Sequence, residues 1–101
     1  MEQDNIILQF RKHCKVVYNY YRVKMIKQTP YNNPQAPVTS NHIDNFLTNL
    51  EGSVNDMDKL SRPIVSKYPQ LQSALTFIMY FYTKKYNALS VSLRKRFNKD
   101  A

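Results

Sequence analysis

The feature that most constrains the fold is the scarcity of glycine, because Gly52 is the only glycine in 101 residues. Tight β-hairpin turns need backbone conformations that glycine adopts readily, and the chain contains no Asn-Gly or Asp-Gly pair. The sequence therefore predicts an all-α fold. A chain of this length buries one modest core, so we expect a small bundle of four or five helices in a single domain over residues 1–101.

The most apolar block of the chain lies in its last third, after Pro69. It consists of Leu71, Ala74, Leu75, Phe77, Ile78, Met79, Tyr80, Phe81 and Tyr82. We expect this block to form one buried core helix that the upstream helices cover. On this interpretation Tyr80 and Tyr82 lie at the edge of the core and do not stack on nucleic-acid bases.

A long amphipathic helix is predicted from Asn5 to Lys27. Its apolar residues recur at spacings of three and four, which places them on one face. They are Ile6, Phe10, Cys14, Val17, Tyr21 and Met25. The opposite face carries four cations. Charged residues are usual on the solvated face of a core helix, so this explanation is favoured over a second nucleic-acid surface. The four cations are Arg11, Lys12, Lys15 and Arg22.

Residues 28–40 interrupt the helical pattern. Pro30, Pro34 and Pro37 exclude a helix, and the asparagines between them favour turns. This segment is predicted to be a linker between the first and second helices. The sequence leaves open whether it is a mobile loop or a strap that extends across the surface.

The second helix is predicted to begin at Asn41, with Asp44 in an imperfect capping box. Its predicted buried stripe consists of Ile43, Phe46, Leu47, Leu50, Val54, Met57 and Leu60. The Ser-Arg-Pro segment at residues 61–63 is typical of a cap with proline in the first turn, which predicts a new short helix. That helix should end near Tyr68, because the next residue is proline.

The net charge is +8, and the positive charge is concentrated at the two ends of the chain. Residues 1–28 carry six Lys/Arg against two acids, residues 29–82 carry three against four, and residues 83–101 carry six against one. Such a balance favours nucleic acid or an anionic membrane surface as a partner and disfavours a DNA mimic.

Several classes of function lack their required residues. Cys14 is the only cysteine and lies on an apolar stripe, so we expect a buried thiol and no disulfide. His13 and His42 lack a third ligand at a useful spacing, so neither a metal nor another cofactor is expected. The absence of a nucleophile–base pair or a phosphate loop predicts a non-enzymatic protein. No signal peptide or membrane-spanning run is visible, which predicts a cytoplasmic protein and makes a membrane a less favoured partner.

The chain ends in a short basic segment that follows the apolar block. Ser90 or Ser92 can cap a final helix, and Leu93 and Phe97 are four residues apart and would dock it. A core helix, a turn and a short basic helix are the minimum elements of a helix-turn-helix. Basic side chains would meet phosphates, and arginine or asparagine can reach base edges. The predicted nucleic-acid-binding residues are Lys84, Lys85, Ser92, Arg94, Lys95, Arg96, Asn98 and Lys99. The alternative is a solvated cationic tail.

The order of these segments resembles that of the ArpU-like phage regulators of Gram-positive bacteria. The shared features are a tyrosine-rich first helix, a Pro/Asn linker, and a middle helix ending in MDKLSRPIVSKY (57–68), followed by YNALSVS (86–92) before a basic helix. The resemblance covers roughly residues 6–99 of a chain that is short for the family. It implies a C-terminal helix-turn-helix like that of sigma region 4. In that family the last helix follows a serine and carries basic and aromatic residues, here Ser92, Arg94, Lys95, Arg96 and Phe97.

The sequence thus predicts a small DNA-binding regulator, phage or prophage encoded, that contacts duplex DNA through its basic C-terminal helix. The alternative is a non-enzymatic protein-interaction module, such as a phage inhibitor or a helical immunity-type protein, whose basic face meets an acidic protein. A membrane-surface role of the first helix ranks third. The sequence leaves homodimerisation open.

Overall fold

The computed structural model describes residues 2–100, apart from the side chain of Asp100, and all regular structure in that range is helical. The predicted all-α fold is confirmed. The elements are α1 (Glu2–Gln28), α2 (Ser40–Lys67), a 3-10 turn (Pro69–Leu71), α3 (Gln72–Leu89) and α4 (Val91–Asp100). The extents of 51 × 18 × 15 Å reflect long helices that lie side by side.

The three long helices form an up-down-up bundle. α2 runs antiparallel to α1, because residues late in α1 contact residues early in α2. α3 then runs antiparallel to α2 and parallel to α1. The contacts that fix these directions are Tyr21 with Asp56, Gln28 with Asn49, Phe46 with Tyr86, and Tyr18 with Tyr82. The linker and α4 lie together at the end of the bundle where α1 ends.

One continuous core receives side chains from every helix and from the linker. Its buried apolar members are Phe10, Cys14, Tyr18, Met25, Val38, Phe46, Met57, Leu71, Leu75, Tyr82, Tyr86 and Leu93. The predicted stripe of α1 is confirmed, since all of its members are buried or partly buried. Burial raises the pKa of the Cys14 thiol to about 12, so this cysteine is an unreactive core residue, as predicted.

α2 begins at a different cap from the predicted one. The Thr39 hydroxyl accepts a hydrogen bond from the His42 backbone N–H at 3.4 Å, and His42 Nδ1 accepts one from the Thr39 backbone N–H at 3.0 Å. This reciprocal pair is a capping box in which histidine replaces the usual Glu or Gln. The prediction of a cap at Asn41 with Asp44 is therefore wrong, because the imidazole supplies an acceptor that the usual pattern does not include.

α2 also continues through its Ser-Arg-Pro segment, so the prediction of a separate short helix there is wrong. Pro63 cannot donate the backbone hydrogen bond of a helix interior, which disfavours this arrangement locally. Two local contacts flank this turn. The buried Ser61 hydroxyl donates to the Asp58 carbonyl at 2.8 Å, and Arg62 forms an ion pair with the Asp58 carboxylate at 2.7 Å. Packing of this turn against the bundle outweighs the local helix-breaking tendency of proline.

The buried face of α2 is more polar than the predicted stripe. Fully buried polar residues of this helix are Asn49, Ser53 and Ser61, whereas exposed apolar residues are Leu47, Val54 and Leu60. The Asn49 amide donates to the Gln28 side-chain carbonyl at 2.8 Å, which satisfies the buried polar group. Small side chains lie on this face, and at Gly52 the ring of Tyr21 from α1 leaves no space for a Cβ.

Gly52→Ala is expected to destabilise the protein, although alanine favours a helix by about 1 kcal/mol. A Cβ at this position would lie 2.9 Å from Cε1 of Tyr21. The ring is held there because its hydroxyl donates to Asp56 Oδ2 at 2.7 Å. Urea unfolding should show a net loss of about 1–2 kcal/mol. Asn55→Ala on the exposed side of α2 is the control and should not destabilise. A Gly52→Ala protein as stable as the parent would show that the Tyr21 ring moves aside at little cost.

α3 buries only one side of its apolar block. Its buried members are Leu75 and Tyr82, and Leu71 of the preceding 3-10 turn is also buried. The other side is aromatic and exposed, with 71% of Phe77, 64% of Tyr80 and 47% of Phe81 accessible. The expectation that the whole block is covered is wrong, because α1 and α2 lie on one side of α3 and its opposite face meets solvent.

Candidate nucleic-acid interface

α4 is docked by the two residues that the sequence predicts. Leu93 is fully buried, and Phe97 is partly buried against the same core. α4 contacts both α2 and α3. Its described residues therefore form a packed helix and not a solvated cationic tail.

The connection between α3 and α4 is the single residue Ser90, whose backbone is in the right-handed helical region (φ −92°, ψ −2°). Its N–H and its hydroxyl both donate to the Asn87 carbonyl, at 3.1 and 2.9 Å. The hydroxyl therefore does not cap α4, and Ser92 lies inside the helix. A helix-turn-helix has a turn of three or four residues, so the expected motif is not formed here.

The predicted nucleic-acid-binding residues on α4 largely share one exposed side of the helix. We call this surface the α4 face, and it consists of Ser92, Arg94, Lys95, Asn98 and Lys99. Lys95 and Lys99 are four residues apart and extend from neighbouring turns. The Arg94 guanidinium is partly fixed, since its carbon lies 5.8 Å from the Phe46 ring centre and Nη2 lies 3.3 Å from the Asn87 carbonyl.

Arg96 does not belong to the α4 face, although the sequence predicts it as a nucleic-acid contact. Its guanidinium donates to three backbone carbonyls of the linker. Nη1 lies 3.0 Å from the Pro30 carbonyl, Nη2 lies 2.9 Å from the Asn33 carbonyl, and Nη2 also donates to the Ala36 carbonyl. The sequence does not indicate this contact, because the path of the linker, which supplies these acceptors, cannot be read from local pattern.

The linker is a strap across the end of the bundle. Val38 is buried in the core and Tyr31 is partly buried against it. Two backbone turns shape the segment between them, with the Asn33 N–H bonded to the Pro30 carbonyl and the Ala36 N–H bonded to the Asn33 carbonyl, both at 3.1 Å. These are the same carbonyls that Arg96 contacts. The sequence leaves open a mobile loop or a strap, and the structure shows a strap.

Lys84 and Lys85 point to different sides of α3. Lys84 is exposed on the outer side, whereas Lys85 lies toward α1, with Nζ 5.3 Å from the Tyr18 ring centre. Lys85 thereby joins cations of α1 in a groove between the two helices. We call this the α1–α3 groove; its charged and aromatic lining residues are Arg11, Lys12, Lys15, Phe77, Phe81, Tyr82 and Lys85.

Little of the positive charge is neutralised within the described part of the chain. The one salt bridge found there joins Arg62 to Asp58. The Tyr21 hydroxyl donates a hydrogen bond to the Asp56 carboxylate, and burial together with this hydrogen bond raises the pKa of Tyr21 to about 12. The cations of the α4 face have no carboxylate partner among the side chains described, so they remain free to contact an external polyanion.

Residues 2–100, as described, contain neither a candidate metal site nor a candidate membrane-spanning helix. No three His, Cys, Asp or Glu side chains come together in a way that could hold a metal ion. None of the helices combines the length and the apolar character that crossing a bilayer requires.

Sequence reasoning missed the α1–α3 groove because its members come from segments about 70 residues apart in the chain, Arg11 to Phe81. The available signal was the pair of i, i+4 spacings, Arg11 with Lys15 and Phe77 with Phe81, which places each pair on one side of its helix. Only the packing of α1 against α3 shows that the two sides face a common groove.

A comparison of the chain with protein-family models, curated proteins and solved structures finds no match. The resemblance to ArpU-like regulators therefore stays a prediction.

Proposed function

We infer that the protein binds nucleic acid, and that the α4 face together with Lys84 contacts duplex DNA. The observation that carries this proposal is the exposure of the cations of the docked helix α4, and of Lys84 on α3, without carboxylate partners among the described side chains. Such cations can replace the counterions of a phosphate backbone. The resemblance to ArpU-like regulators would make the protein a cytoplasmic transcription regulator of phage or prophage origin.

The mode of contact differs from that of a recognition helix presented by a helix-turn-helix. α4 follows α3 after one residue, and Arg96 faces the linker. The proposed contact therefore rests mainly on phosphates, through Lys84, Lys95 and Lys99, which favours binding with little sequence preference. Asn98 is exposed on the same helix and is a candidate for a base-edge contact.

Lys95→Ala combined with Lys99→Ala should weaken binding to an arbitrary DNA duplex by at least about tenfold at about 0.1 M salt. The slope of log affinity against log salt should become shallower by roughly two, since each lost phosphate contact removes about 0.9. Fluorescence anisotropy titrations at several salt concentrations measure both quantities.

The matched control is Lys59→Ala combined with Lys67→Ala, which removes the same charge from exposed positions of α2. These positions lie toward the end of the bundle away from α4. The control should change the duplex affinity much less. Equal losses in the two double variants would mean that net charge, and not the α4 face, determines binding.

A protein-interaction role is the second candidate, and the exposed aromatic side of α3 favours it. Three large aromatic side chains on one helix surface form the kind of patch that partners cover. The basic surroundings would select an acidic partner. The absence of any affinity for duplex or single-stranded nucleic acid at low salt would place this role first.

A further inference from the structure

The α1–α3 groove combines exposed aromatic rings with cations from both of its walls. Two adjoining cavities form it, and both are lined by Arg11 and Phe81. One end is apolar and includes the highly exposed Phe77. The other end holds the remaining cations, Lys12, Lys15 and Lys85. No Asp or Glu is among the described residues that line either cavity.

The dimensions of the groove suit a short run of nucleotides. Between Ile7 and Lys15, α1 rises about 12 Å, which equals about three stacked bases at about 3.4 Å each. Phe77 and Phe81 are four residues apart, so their positions differ by about 6 Å along α3. This separation is close to two base-stacking steps, so one base can fit between the Phe77 and Phe81 rings along the helix axis.

We propose that the α1–α3 groove binds a single-stranded segment of nucleic acid, with bases stacked on Phe77 and Phe81 and phosphates on the cations. Aromatic platforms beside a positively charged groove are the general means of binding single strands with little sequence preference. The choice of nucleic acid as ligand rests on the proposed function. The site itself is separate, because it uses no residue of the α4 face.

The chemistry of the groove disfavours other occupants. A closed duplex keeps its bases paired and stacked, so it offers no free base face to the two phenylalanine rings. A second copy of a chain with net charge +8 would bring further positive charge to a cation-lined groove. An acidic amphipathic peptide would satisfy the cations, but it has no bases to stack on the aromatic rings, so a preference for strands that carry bases is expected only for a nucleic-acid site.

The test measures anisotropy with the full-length protein and two labelled probes of equal charge, an oligo(dT) of about 12 nucleotides and an abasic oligomer of the same length. The parent protein should bind oligo(dT) at least about tenfold more tightly than the abasic strand, because stacking one base on an aromatic ring contributes about this factor. Phe77→Leu combined with Phe81→Leu keeps the groove apolar without the rings. This variant should bind the two probes within about twofold of each other.

Tyr80→Leu is the matched control, because Tyr80 is as exposed as the two phenylalanines but does not line the groove. It should keep the preference for oligo(dT). Equal affinity of the parent protein for both probes would overturn the stacking contact. If Tyr80→Leu lost the preference for oligo(dT) and the double phenylalanine variant kept it, the stacking site would not lie in the α1–α3 groove. Circular dichroism spectra of all variants check that the helical fold is intact.

A labelled duplex measured in parallel keeps the two proposals distinguishable. Duplex binding without oligo(dT) binding refutes the groove site and leaves the proposed function standing. Oligo(dT) binding that survives Lys95→Ala with Lys99→Ala, while duplex binding falls, supports two separate sites. Failure to bind any of the three probes at low salt refutes both proposals.

Discussion

Phe46→Ala is expected to lower the free energy of unfolding by about 3–5 kcal/mol, the largest effect among the substitutions considered. Phe46 is completely buried and stacks on Tyr86, with ring centres 5.1 Å apart and planes inclined by 5°. Such offset-stacked pairs add to the burial term. The Arg94 guanidinium also lies 5.8 Å from the Phe46 ring centre, so the cavity would open beneath α4.

The adjacent Leu47→Ala provides the control for Phe46→Ala. Leu47 is 50% exposed on the same turn of α2, so its truncation should cost less than about 0.5 kcal/mol. Urea unfolding monitored by circular dichroism gives both values. Similar midpoints for the two variants would contradict the assignment of Phe46 to the core and of Leu47 to the surface.

Arg96→Ala is expected to destabilise the protein by about 2 kcal/mol, since hydrogen bonds to a charged group contribute about 1.5–3 kcal/mol and part of this site is open to water. The three carbonyls that its guanidinium contacts all belong to the linker. Cleavage by a non-specific protease between Pro30 and Ala36 should accordingly become faster under native conditions. Stability is measured by urea unfolding and cleavage by mass spectrometry of the fragments.

Lys95→Ala is the control for Arg96→Ala, because it removes the same charge from the neighbouring exposed position of α4. Its effect on stability should be within about 0.5 kcal/mol. Arg96→Lys should restore little, because an ammonium group cannot reproduce the planar fork of a guanidinium. Unchanged cleavage of the linker in Arg96→Ala would contradict the role of Arg96 in holding the strap.

The fold could be predicted from the sequence because its determinants are local and periodic. A single glycine disfavours hairpins, and the apolar spacing in α1 gives its buried face directly. Leu93 and Phe97, four residues apart in a basic segment, predicted the docking of α4 correctly. In both helices the buried face depends only on which side of one helix is apolar, and the spacing of apolar residues shows this.

Other features depend on contacts that the spacing of apolar residues does not show. Pro63 is typical of a helix start but lies inside α2, in a turn where Ser61 is buried. Arg96 reads as a phosphate contact but binds linker carbonyls more than 60 positions earlier in the chain. For the same reason the α1–α3 groove could not be found in the sequence, since it exists only where two distant helices meet.

The central claim is that exposed cations of this protein bind the phosphates of nucleic acid. The most direct test is the affinity of the unmodified protein for a fluorescent DNA duplex of arbitrary sequence as a function of salt concentration. The account predicts measurable binding at low salt and a linear fall of log affinity with log salt, with a slope of about −0.9 for each phosphate contacted. Three or four contacts through Lys84, Lys95, Lys99 and Arg94 would give a slope of about −3 to −4. No binding at the lowest salt concentration, or binding that is independent of salt, would contradict it.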